Sequence, residues 1–190
     1  MSAVDRAQWE AVLRKGVRAN RLIPAAVAVG GTVAALYAGH RISGDVHYLV
    51  RGLREHFDDA LYSLEQDAAW RANRIQRPVL ILGTLGDVQI GFRAPRRTTP
   101  IETTRVSISE GDLVVPTLDA ILGIKAFLAY SRNALRDYLD YAALTTLADE
   151  QRVLSVLVRL DEQDRGLQQS SVCLEVAKSL SSAQPYDLET

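Results

Sequence analysis

Cysteine is nearly absent: Cys173 stands alone in 190 residues. An internal disulfide is therefore excluded, the fold must rest on packing, and a reducing compartment is expected. The thiol itself reads as a small buried hydrophobe on a C-terminal helix. An excess of charge is also missing, since 22 Lys and Arg meet 23 Asp and Glu for a net charge of −1. No global field draws a polyanion or an anionic membrane, so any such site has to be local. Long, strongly apolar runs are lacking too. Leu22 to Gly39 holds no charged residue and follows Arg14, Lys15, Arg18 and Arg21, the outline of a signal anchor. It is built mostly from Ala, Val and Gly around Pro24, short of the ~20 strongly apolar residues that a span needs. No small-x-small cleavage site closes it. A cytoplasmic protein with no membrane contact is expected.

What is present fits a globular chain, with 47% hydrophobic and 24% charged residues. Val4, Trp9, Val12, Leu13 and Val17 recur at helical spacing, so residues 3–20 are predicted helical. Ala25 to Val29 reads as a buried strand, Thr32 to Ala38 as two helical turns, and Asp45 to Val50 as a second strand. The stripe Leu53, Phe57, Leu61, Leu64, Ala68 predicts a helix across 51–74. Residues 78–83 and 87–93 read as a hairpin, and Arg105 to Ser109 as one more strand. Between them lies a loop with Arg93, Arg96 and Arg97, either solvated or contacting phosphate. Thr117 is the predicted N-cap of a first C-terminal helix, with Asp119 in its opening turn. Helices over 135–147, 149–164 and 167–181 follow. The outline is α+β: a small mixed sheet flanked by helices over 1–112, a helical bundle over 113–182, and a polar tail over 183–190.

The chemistry gathers in Val29 to Val50. Gly30-Gly31-Thr32 opens a short helix, Gly39-His40-Arg41-Ile42-Ser43 forms a turn, and Asp45 and His47 follow on a strand. Strand side chains alternate faces, so Asp45 and His47 point the same way. In this order the segments resemble the nucleotidyltransferase-fold toxins of the AbiEii abortive-infection group, whose pattern runs GGT and then GHR-x-S-x-D-x-D. Lys125, Arg132, Asp137 and Asp140 resemble that family's helical stretch of a lysine, an arginine and D-x-x-D. The likeness covers roughly residues 25 to 147.

The resemblance implies a nucleotidyltransferase-like fold and transfer of a nucleoside monophosphate from a triphosphate to an RNA or protein hydroxyl. It implies Mg2+ or Mn2+ as cofactor and a companion antitoxin. Asp45 and Lys125 become the expected catalytic residues. Gly30, Gly31, Thr32, Arg41, Ser43, Lys125 and Arg132 become the expected nucleotide contacts, with Asp45 and His47 as metal ligands and Asp137 and Asp140 as further members. Amides at a Gly turn before a helix favour an anion, which fits. His47 departs from the pattern, because it stands where the family has a second acid and magnesium prefers oxygen. Manganese or zinc accept nitrogen more readily. No clear third acid follows either: the strand after Asp87 offers Gln89 or Gly91 on one face. The competing expectation is a degenerate nucleotidyltransferase fold that binds a nucleotide, RNA or protein without chemistry.

Overall fold

The computed structural model describes residues 3–96, 99–163 and 171–187. In chain order it contains α1 (Ala3–Leu22), β1 (Ala26–Val29), α2 (Gly31–Ala38), β2 (Asp45–Val50) and α3 (Phe57–Glu65). Then come β3 (Trp70–Gln76), β4 (Leu80–Leu85), β5 (Val88–Arg93), β6 (Thr103–Ile108) and β7 (Gly111–Pro116). The helices α4 (Leu118–Arg132), α5 (Leu135–Thr145), α6 (Glu150–Gln163) and α7 (Val172–Ser181) complete it. Two compact units result: Met1–Val33 with Arg41–Pro116, and Ala34–His40 with Thr117–Thr190.

The first unit is built on a five-stranded sheet in the order β1-β2-β5-β4-β3. All neighbours are antiparallel except β2 and β5, which run parallel. Alternation sends Val46, Tyr48, Ile81, Leu85, Ile90 and Phe92 to one face, where all are buried. The stripe Val12, Leu13 and Val17 of α1 is buried in the same unit, as its helical spacing predicts. Tyr48 stacks on Phe92 with ring centroids 5.0 Å apart, and its hydroxyl donates to the Gly16 carbonyl at 2.6 Å. That bond answers the cost of burying a polar atom. β6 and β7 form a separate antiparallel ribbon.

Two expectations fail in this unit. Of the helix predicted over 51–74 only α3 forms: turns occupy 51–56 and 66–69, and β3 begins at Trp70. Leu53, Phe57, Leu61 and Leu64 are all buried, so the stripe is real. It ends because Asp67 accepts the Ala69 N–H at 2.9 Å and turns the chain into β3. β3 is an edge strand with only Trp70 buried, so it lacks the alternation that marks a strand. The strand β7 was also not anticipated. The predicted hairpin is β4 and β5, shifted so that Gly86 and Asp87 form the turn, with Gly86 at φ +65°.

In the second unit α4 packs with α5, α6 and α7. Ile121, Leu122, Ala126 and Ala129 of α4 are buried with Leu144, Leu160 and Val176. Thr117 caps α4 as expected, accepting the Ala120 N–H at 3.3 Å. Asp119 receives Arg152 at 2.6 Å and Arg159 at 3.1 Å. The fourth predicted helix begins at Val172 in the described residues; 164–170 lie outside them. Cys173 is half-buried, and its amide donates to Asp161. Burial, then the Asp161 charge, pushes its thiol pKa up, which suits an unreactive residue. The polar stretch after α7 is tied down: Asn133 donates to the Gln184 carbonyl and Asp187 accepts the Leu135 N–H, both at 2.7 Å. Among the described residues no helix is long and apolar enough to cross a membrane.

Candidate functional site

Gly30 stands between β1 and α2 at φ +81°, in the left-handed region where a side chain is strained. The first amides of a helix have no intrahelical partner, and α2 has no acid in its first turn. At Gly31 a side chain would displace the end of Arg41. A Cβ there would lie 3.1 Å from Arg41 Cζ and 3.3 Å from Ser43 Oγ. The Arg41 guanidinium therefore sits beside the start of α2, so a cation and a helix N-terminus share one place. Arg41 also donates to the Ile42 carbonyl at 3.2 Å. The two hydroxyls expected at phosphate serve Asp45 instead. Buried Thr32 donates to the Asp45 carbonyl, and Ser43 donates to Asp45 Oδ1 at 2.9 Å.

Asp45 and His47 lie on one face of β2, with Asp45 Oδ2 at 3.4 Å from His47 Nδ1. Their side chains are 35% and 46% exposed. Across the parallel ladder Asp45 pairs with Gln89 and His47 with Gly91. Asp87, the nearest acid in sequence, sits in the Gly86-Asp87 turn before β5 begins. His47 fills the space over Gly91: a Cβ there would come within 2.8 Å of His47 Cδ2. Among the described residues no three His, Cys, Asp or Glu side chains gather to hold a metal ion.

The donor set does not fit the divalent pair that the resemblance implies. One carboxylate is present, it is already shared between Ser43 and His47, and its cross-strand partner is an amide. Magnesium demands near-ideal octahedral oxygen coordination, and a two-metal site needs bridging carboxylates.

The downstream residues assemble separately, within the second unit. Lys125 is 3% exposed, and its ammonium lies 2.7 Å from Asp137 Oδ1 and 2.7 Å from Asp140 Oδ2. Its charge is thus shared with two buried carboxylates. Arg132 stands exposed in the last turn of α4, so the two cations do not form a pair. Asp140, on α5, is where two partners meet. It is fully buried, and its second oxygen meets His40 Nε2 at 2.8 Å. From the sequence His40 is only a residue of the Gly39–Ser43 turn. Its partner is 100 positions away, and no local signal announces it. Asp137 Oδ2 is buried with no hydrogen-bond partner.

This arrangement defines a nucleotidyltransferase-like fold, and known structures of that class agree. The solution structure of the antibiotic-resistance factor ANT(2'')-Ia superposes with a TM-score of 0.59 at 13% identity, covering 80% of this chain and 90% of that one. An antigenic nucleotidyltransferase-like protein from Paracoccidioides brasiliensis gives 0.55 at 17% identity, covering 89% and 93%. The crystal structure of ANT(2'')-Ia with adenylyl-2''-tobramycin gives 0.53 at 14% identity, covering 77% and 92%. By sequence, the mycolic acid-containing lipids exporter MmpL11 of Mycolicibacterium smegmatis is 33% identical over 122 residues, 62% of this chain and 12% of that protein. The heme uptake protein MmpL11 of Mycobacterium tuberculosis is 38% identical over 79 residues, 40% of this chain and 8% of that protein. The chain thus spans a small part of these relatives. No family model matches it.

Proposed function

We propose that this chain binds a nucleoside triphosphate at the start of α2 without performing two-metal nucleotidyl transfer. The observation that carries the reading is the Arg41 guanidinium against Gly31. It adds a full positive charge to a helix N-terminus that has no acid in its first turn. Gly30 turns the chain so that the α2 amides lead, and Arg41 is a bidentate phosphate donor by chemistry. Asp45, with Thr32 and Ser43 bonded to it, ties the turn to β2. In this reading Asp45 is a positioning residue, and Lys125, Asp137 and Asp140 hold the helical unit together. Titration calorimetry with GTP and ATP tests it. Arg41→Ala should weaken binding by about ten- to a hundredfold, the loss of one charged hydrogen-bonding group. Undiminished affinity in that variant overturns the proposal.

A second reading keeps the chemistry: a toxin-type transferase using one manganese ion, paired with an antitoxin in the cytoplasm and acting on RNA or protein. Its support is the shared face of Asp45 and His47, since manganese accepts both oxygen and nitrogen. Label from an α-labelled triphosphate appearing on RNA or on the protein itself, lost in Asp45→Ala, would favour it. Absence of any labelled product in Mn2+ removes it.

A further inference from the structure

We infer that the open face of the five-stranded sheet is a docking surface for a single-stranded nucleic acid, gripped through its phosphates by Arg71, Arg74 and Arg93. The inference follows from the register. Paired residues on neighbouring strands point to the same side of a sheet. One row across β2, β5, β4 and β3 is therefore Asp45, Gln89, Thr84, Arg71, and the next is His47, Gly91, Leu82, Arg74. A third row is Leu49, Arg93, Leu80 and Gln76, with Leu80 buried between the two polar residues. All three arginines are exposed.

Arg71 and Arg74 are three residues apart, which in a regular strand would send them to opposite faces. The register shift between Ala72 and Arg74 brings them to the same one. Bulges re-aim side chains in this way. Arg71 is further oriented by its Nη1, which donates to the carbonyls of Ala68 at 2.8 Å and Trp70 at 2.7 Å.

Charge complementarity selects the occupant. In a chain of net charge −1, these rows hold three arginines and a single carboxylate, Asp45. Adjacent strands are about 4.8 Å apart and residues rise about 3.4 Å each, so Arg74 and Arg93, two strands across and two residues along, root roughly 12 Å apart. That is a track with separated cationic points. Every cation on it is arginine, whose planar fork matches phosphate oxygens. Gln89, Gln76 and Thr84 add neutral donors and acceptors between them. The rows carry no Phe, Tyr or Trp, so bases have no stacking platform and the contact is with the backbone, without sequence preference. Arg93 belongs to the basic loop cluster of the sequence, and Arg96 continues the track beyond β5; Arg97 lies outside the described residues.

The test is fluorescence anisotropy with a labelled oligouridine of about twenty nucleotides on the whole chain, across a salt series. Three phosphate contacts give a slope of log affinity against log salt of about −2, which is about twentyfold in affinity between 50 and 200 mM. Arg74→Gln and Arg93→Gln should each reduce the slope by about 0.7, and Arg74→Lys should restore it. Arg6→Ala, at an exposed position of α1, is the control and should leave it unchanged. Slopes unaffected by both glutamine variants overturn the inference. Competition by polyglutamate as strong as by oligouridine at equal charge also overturns it, in favour of an acidic protein. The inference stands apart from nucleotide binding at Arg41: absence of GTP and ATP binding with an intact oligouridine slope removes only the nucleotide reading.

Discussion

The imidazole of His47 lies over Gly91, the residue paired with it across the parallel β2–β5 ladder. An acid at His47 and another on β5 would face each other across one strand spacing. Here the four positions are Asp45, His47, Gln89 and Gly91, with one carboxylate among them. Replacing His47→Asp and Gln89→Asp together should build the missing donor set. Calorimetry should then show Mn2+ binding at least tenfold tighter than in the unaltered chain, where a single shared carboxylate binds weakly. No gain in the double variant would mean that these positions do not converge on a cation.

The buried cation of the helical unit makes a separate prediction. Lys125→Met leaves Asp137 uncompensated and Asp140 with His40 alone, and removing one partner of a buried pair costs about 3–5 kcal/mol. Urea denaturation should report this loss. Asp137→Asn should cost less, and the double variant should be more stable than the sum of single losses predicts, by about 0.5–3 kcal/mol of coupling. Additive losses would show that the pair does not interact.

Asp67 carries the pH dependence. Burial pushes its carboxyl pKa up, but the Ala69 N–H and the Arg18 guanidinium outweigh that and hold it below the ordinary range. Arg18 bonds it at 2.5 and 2.6 Å. A depressed folded pKa contributes stability above the unfolded value of about 3.9, lost as pH falls through the folded value. Asp67→Asn should remove about 1–2 kcal/mol at neutral pH, discounted because Arg18 is half exposed. The urea midpoint of the variant should also fall less steeply than that of the parent below about pH 4. Parallel pH curves would contradict the assignment.

Gly31 tests the anion site by sterics. Gly31→Ala places a methyl where Arg41 now sits. The arginine end can swing aside, and Ala is the better helix former, so the melting temperature should hold within a few degrees. Nucleotide affinity should drop tenfold or more. Unchanged affinity would separate Arg41 from the ligand.

The sequence carries the fold well where faces differ in polarity. Val12, Leu13 and Val17 on α1 and the alternation of β2 and β5 are legible, as is the Thr117 cap. β3 is hidden, because an edge strand exposed along nearly its whole length has no period to read. β7 is not marked by the pattern either. The Gly30–Ser43 turn is recognisable from glycine and arginine chemistry, and the weakness at His47 can be seen directly. What the sequence does not carry is pairing at distance. Lys125 looks like a phosphate ligand until Asp137 and Asp140 are found against it. His40 looks like a turn residue until its partner Asp140 appears from α5. The bulge that aligns Arg71 with Arg74 exists only in the ladder.

The most direct test of nucleotide binding without two-metal chemistry is equilibrium dialysis of an α-labelled triphosphate against the whole chain, in EDTA and in Mn2+, followed by denaturing electrophoresis of each sample. The account predicts equal binding in both and no label carried into RNA or protein. Binding that vanishes in EDTA, with label transferred in Mn2+, contradicts it.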